Sequence, residues 1–210
     1  MLREVERGVL RRMHAVLYII GLVFFLFISP IAILYFGLIP FTYRLWLLAI
    51  YTVIVAVVAF RDQRTLRSLG LRTNNFKETV LPYVIFTTGA VALLLIVAHL
   101  LGKQTIPEWT SNSHLLFLFI PISFTQEFLY RGFLMHELRR FYTSILSVIA
   151  VDALLFTYLH VLYGEPFVTL PLALVSGVAF SYMYYKYPNL WMVALSHSVL
   201  NFVAVLYSFF

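Results

Sequence analysis

The chain has 210 residues, 62% of them hydrophobic and only 11% charged, with a formal net charge of +6 and no cysteine. A soluble domain carries roughly 25% charged residues, so most of this surface cannot face water, and the missing cysteine excludes disulfides, thiolate nucleophiles, iron–sulfur clusters and thiolate zinc sites. The basic residues sit in loops between apolar runs and form no domain of their own, which points to membrane topology and lipid headgroups and away from nucleic acid.

A spanning helix takes about 20 mostly apolar residues. The chain therefore has room for about seven spans and short loops, and none for a soluble domain. The fold expected is an all-α polytopic integral membrane bundle forming a single domain over residues 1–210. In chain order, the spans are expected at residues 14–39, 44–60, 79–101, 115–138, 142–163, 167–187 and 190–209. The first is too long for a signal-peptide apolar region and no small-residue cleavage site follows it, so it reads as retained. Pro30 and Pro40 are expected to kink and end it. After the short second span, a basic loop runs from Arg61 to Lys77 and contains Leu66, Leu69 and Leu71. It reads equally as an amphipathic segment on the headgroups or as a solvated loop. With the N-terminus in the cytoplasm, twelve basic residues fall inside and two, Arg44 and Lys103, fall outside, leaving Arg131 within a span. The two halves show no matched interrupted helices, which disfavours a transporter.

Charge inside a bilayer costs at least about 2.5 kcal/mol per group and so marks an interior role. The fourth span holds Gln126, Glu127 and Arg131, and the last two are four apart on one helix face, where they can pair. The fifth holds Asp152, Phe156 and His160 at intervals of four. The seventh holds His197 and Asn201, also four apart, behind Asn189 as a helix cap. Each set has a structural reading: an interior salt bridge, a carboxylate bonded to a neighbouring hydroxyl, an interhelical hydrogen bond. Gathered in one pocket they suit hydrolysis, with a carboxylate to take a proton from water, a histidine to orient it, and a His–Asn pair to donate to an oxyanion. Glu127, His160 and His197 are equally a zinc ligand set with an open position, and the residues alone leave a metal-activated and a metal-free water both open. His14, His99, His114 and His136 read as structural or interfacial.

The three motifs, Gln126-Glu127-x-x-x-Arg131, Phe156-x-x-x-His160 and His197-x-x-x-Asn201, resemble in order those of the CAAX-protease and bacteriocin-processing family, including its type II CAAX prenyl endopeptidases. Leu69-Gly70-Leu71 and Asn189-Leu190-Trp191 are similar to it as well, so the likeness covers about residues 60–205. The resemblance implies a helical membrane bundle enclosing a peptidase site, with a hydrophobic or prenylated peptide entering laterally from lipid. It also implies an integral location in a prokaryotic cell membrane. His160 would orient water or a metal, His197 and Asn201 would form the oxyanion site, and Arg131 and Phe156 would shape the pocket. Family members are described both as metalloproteases and as metal-free enzymes with a glutamate-activated water.

One position departs. Where the family has its first Glu, the proposed water activator, this chain has Gln126. An amide keeps the shape and hydrogen bonding of the carboxylate but cannot accept the proton, and loss of a general base typically costs about 10²–10⁴ in rate. The chain is then a natural non-catalytic member, such as an immunity or scaffold protein, or an enzyme whose Glu has been replaced in an otherwise intact motif set. A second tension is depth. His160 falls about 27 Å along its span and His197 about 10 Å along its own, so the fifth helix must tilt, start outside the bilayer or break.

Overall fold

The computed structural model describes residues 2–106 and 113–209, and these residues form helical rods and loops. α1 (Leu2–Val23) runs through a π-helical turn at Phe24–Ile28 into α2 (Ser29–Tyr35). α3 (Arg44–Arg61) and α4 (Phe76–Leu100) follow. α5 (Ser113–Glu127) continues through a second π-helical turn, Phe128–Leu134, into α6 (Met135–Phe141). α7 (Ile145–Leu159), α8 (Pro166–Lys186) and α9 (Leu190–Leu206) complete the bundle. The rods coincide with the seven expected spans. Five of them are long and apolar enough to cross a membrane, and α9 is a shorter apolar helix. The α5–α6 rod instead carries Glu127, Arg131 and Glu137 in its buried middle.

Local chemistry explains the irregular turns. Pro30 has no N–H to offer the carbonyl four residues earlier, and the helix widens to a π turn just before it. α2 stops at Tyr35, and Gly37 takes a left-handed φ of +68° just beyond it. In the fourth rod the π turn is enclosed on every side, with all seven residues from Phe128 to Leu134 buried. Beyond it, His136 sits half-buried near Arg64 and Arg140. His14 and His99 are exposed, as an interfacial role requires, while the side chain of His114 lies outside the described residues.

The loop between α3 and α4 packs in part against the bundle. Leu69 and Gly70 are buried, whereas Leu66 is exposed. Gly70 has φ +84°, and a Cβ there would run into the hydroxyl of Tyr184. Its carbonyl accepts the Leu190 N–H at 2.8 Å. The side-chain nitrogen of Asn189 donates to Asn75 Oδ1 at 2.9 Å and to the Arg72 carbonyl at 3.2 Å. Asn189 Oδ1 caps α9 by accepting the Met192 N–H at 3.1 Å, as its position predicts. The two segments that resemble the family outside the polar motifs thus clasp each other, and the clasp sets where α9 begins. Beside it, the buried Glu137 pairs with Arg64 and with Arg140, the latter at 3.2 Å.

Candidate active site

Fully buried polar groups must find one another when neither water nor lipid can satisfy them. Glu127, Arg131 and Asp152 have no exposed side-chain surface. Arg131 Nη1 donates to Glu127 Oε1 at 3.0 Å, Nη2 donates to the Gly177 carbonyl at 3.2 Å, and Nε lies 3.5 Å from Asp152 Oδ2. The Ser181 hydroxyl meets the same Asp152 oxygen at 2.6 Å. Gly177 permits this approach: a Cβ there would lie 3.1 Å from the Ala153 Cα and 3.2 Å from the Phe156 ring. The guanidinium carbon sits 4.5 Å from the Phe156 ring centroid and 5.5 Å from that of Phe180, close enough for cation–π attraction.

The charged knot reaches the seventh rod through one bond. His197 Nδ1 donates to Glu127 Oε1 at 2.6 Å, and its ring packs against Phe156 and Phe180 at centroid distances of 5.5 and 5.1 Å. His160 Nδ1 donates to the Phe156 carbonyl at 2.9 Å, so in the neutral ring Nε2 carries the lone pair. His160 stands where α7 ends and a 3₁₀ turn, His160–Leu162, begins. The helix breaks there, which is one of the three ways the depth tension could resolve. Phe156 touches both histidine rings, with His160 at 4.9 Å.

Two cavities adjoin these groups. One of about 410 Å³ is lined by Gln126, His160 and Asn201, with Arg44 and an otherwise largely apolar wall. Another of about 370 Å³ is lined by Phe156, His160, His197 and Asn201 between α4 and α8. His160 and Asn201 line both. Adjacent residues on α5 therefore separate: Gln126 lines the 410 Å³ cavity, whereas Glu127 lines neither cavity and turns into the knot. Asn201 Nδ2 donates to the buried Ser123 hydroxyl at 3.1 Å, one turn before Gln126.

Glu127, Arg131, Phe156, His160 and His197 are brought together as expected, and Asn201 and Gln126 join them through the cavities. Asp152 bonds the neighbouring hydroxyl that its structural reading anticipates. Among the described residues, no group of three or more His, Cys, Asp or Glu side chains is placed to hold a metal ion. Sequence reasoning missed Ser123, Gly177, Phe180, Ser181 and the buried Glu137. Gly177 and Ser181 are four apart, a spacing that marks one helix face but no chemistry until α7 is seen opposite.

No curated protein and no solved structure matches the chain. The Leu69-Gly70-Leu71 clasp lies before the stretch that a family model does match. That stretch, residues 107–203, holds Gln126, Glu127, His160, His197 and Asn201, and it matches the family described as Type II CAAX prenyl endopeptidase Rce1-like.

Proposed function

We propose that the chain is an intramembrane endopeptidase of the CAAX prenyl protease type, hydrolysing a peptide bond in a prenylated or otherwise hydrophobic substrate, with Gln126 making the native sequence slow or inactive. The observation that carries this reading is the pair of cavities sharing His160 and Asn201, with Gln126 lining one and His197 the other. A substrate carbonyl at the shared wall meets donors from Asn201 and His197. Donation from His197 Nε2 requires the imidazolium, whose Nδ1–H is already held by the Glu127 carboxylate. Water between Gln126 and His160 attacks the carbonyl carbon. Its proton needs an acceptor that the Gln126 amide does not supply. With a carboxylate at 126, that proton moves to the carboxyl group and then to the leaving nitrogen as the C–N bond breaks.

Restoring the carboxylate is the test. Gln126→Glu in lipid nanodiscs, assayed with a farnesylated CAAX peptide and a panel of hydrophobic peptides, is expected to raise cleavage by about 10²–10⁴. No cleavage of any peptide by folded protein would refute the peptidase reading. One observation favours a second reading: among the described residues no carboxylate lines these cavities. A non-catalytic immunity or scaffold protein needs none, and it predicts that both native chain and variant bind peptide without cutting it.

A further inference from the structure

The chemistry above gives no task to Asp152, which is fully buried on α7 and lines neither cavity. Its place in the knot is specific. An arginine that meets a single carboxylate commonly donates to both oxygens in a parallel fork. Arg131 does not. Its nitrogens are divided among three rods: Nη1 donates to Glu127 Oε1 on α5 at 3.0 Å, Nη2 donates to the Gly177 carbonyl on α8 at 3.2 Å, and Nε stands 3.5 Å from Asp152 Oδ2 on α7. Asp152 is itself held, because the Ser181 hydroxyl lies 2.6 Å from that same Oδ2 and 2.6 Å from the Gly177 carbonyl. Ser181, Asp152, Arg131 and Gly177 therefore close a ring that fixes the guanidinium plane.

The consequence falls on Glu127. Its Oε1 serves Arg131 and His197 Nδ1 together, the latter at 2.6 Å, while its buried Oε2 makes no hydrogen bond among the described residues. Without the Asp152 carboxylate, Nε loses its anion and Oε2 is the acceptor to which the fork can turn. A two-pronged grip of that kind rotates the Glu127 carboxylate and draws Oε1 away from the imidazole. We propose that Asp152 is a positioning residue for His197: by holding Arg131 to one Glu127 oxygen, it leaves that carboxylate free to fix the ring at Nδ1, so that Nε2 is the nitrogen left for the 370 Å³ cavity that His197 lines. This deepens the peptidase reading and rests on it for its catalytic consequence alone. A role in packing only would alter stability and leave the imidazole where it is.

The first test needs no turnover. The full chain is isotope-labelled at histidine in nanodiscs, and the Nδ1–H proton of His197 is assigned by its loss in His197→Gln. Held by a carboxylate, it should resonate far downfield in the native chain. Asp152→Leu should move that signal upfield or erase it by exchange, whereas Asp152→Asn, which keeps an acceptor oxygen, should retain most of it. If Asp152→Leu does not fold, Ser181→Ala loosens the Asp152 carboxylate and should give a smaller shift in the same direction. A downfield signal missing from the native chain, or unmoved in the folded variants, overturns the proposal. The second test is kinetic. Added to Gln126→Glu, Asp152→Leu should lower kcat about 10²-fold, the cost of a displaced catalytic group, with KM little changed, and Asp152→Asn should recover most of the loss. Equal kcat with and without Asp152→Leu overturns the positioning role. If Gln126→Glu cleaves nothing, the peptidase reading fails, and the resonance comparison still decides whether Asp152 holds His197 in place.

Discussion

Gln126 and Glu127 are adjacent, about 100° apart on a helix of 3.6 residues per turn, and that angle decides their surroundings. Gln126 lines the 410 Å³ cavity, while Glu127 is enclosed with Arg131, Asp152 and His197. The enclosed knot holds two carboxylates around one guanidinium, so Arg131 is the member whose loss leaves most charge uncompensated. Removing one partner of a buried ion pair costs about 3–5 kcal/mol. Arg131→Met fills similar volume but strands Glu127 and Asp152, and it is expected to lower the stability of the detergent-solubilised protein by about that much. Thermal unfolding followed by tryptophan fluorescence measures it. A variant as stable as the native chain would mean that the carboxylates do not depend on Arg131.

The elements show what could be read from the residues and what could not. Seven mostly apolar runs are visible directly, five of which, among the described residues, form helices long and apolar enough to cross a membrane, because lipid leaves the chain few alternatives to helix. The i, i+4 pairs Glu127/Arg131, Phe156/His160 and His197/Asn201 are visible because helical periodicity puts each on one face. The π turn at Phe128–Leu134 is not visible, since an apolar run has no marker for a widened turn. Nor is the clasp between Gly70 and Leu190, where backbone groups 120 positions apart bond each other. That clasp makes its own prediction. Gly70 combines φ +84° with the ring of Tyr184 against its Cβ position, so Gly70→Ala incurs both strain and a clash. The expected loss is about 1–3 kcal/mol, read as a lower melting temperature and faster hydrogen exchange at the start of α9. Unchanged exchange there would separate the clasp from the placement of His197 and Asn201.

At the scale of the whole molecule the open matter is which way the bundle faces. The α3–α4 loop, the end of α6 and Lys186 carry basic residues at one end of their rods, while Arg44 and Lys103 lie at the other. Positive loops are retained on the cytoplasmic side, so Arg67 should lie in the cytoplasm and Gln104 outside. The native chain has no cysteine, and both positions are exposed, so single substitutions report without background. Arg67→Cys should resist a membrane-impermeant maleimide in intact cells and react after permeabilisation, whereas Gln104→Cys should react in both. The reversed pattern would place the N-terminus outside, and with it the end of α7, where His160 meets the cavity lined by Arg44, on the cytoplasmic side. A peptide substrate of the kind proposed would then reach that cavity from within the cell and not from the outer face, so this one labelling experiment determines which pool of peptides could be sampled.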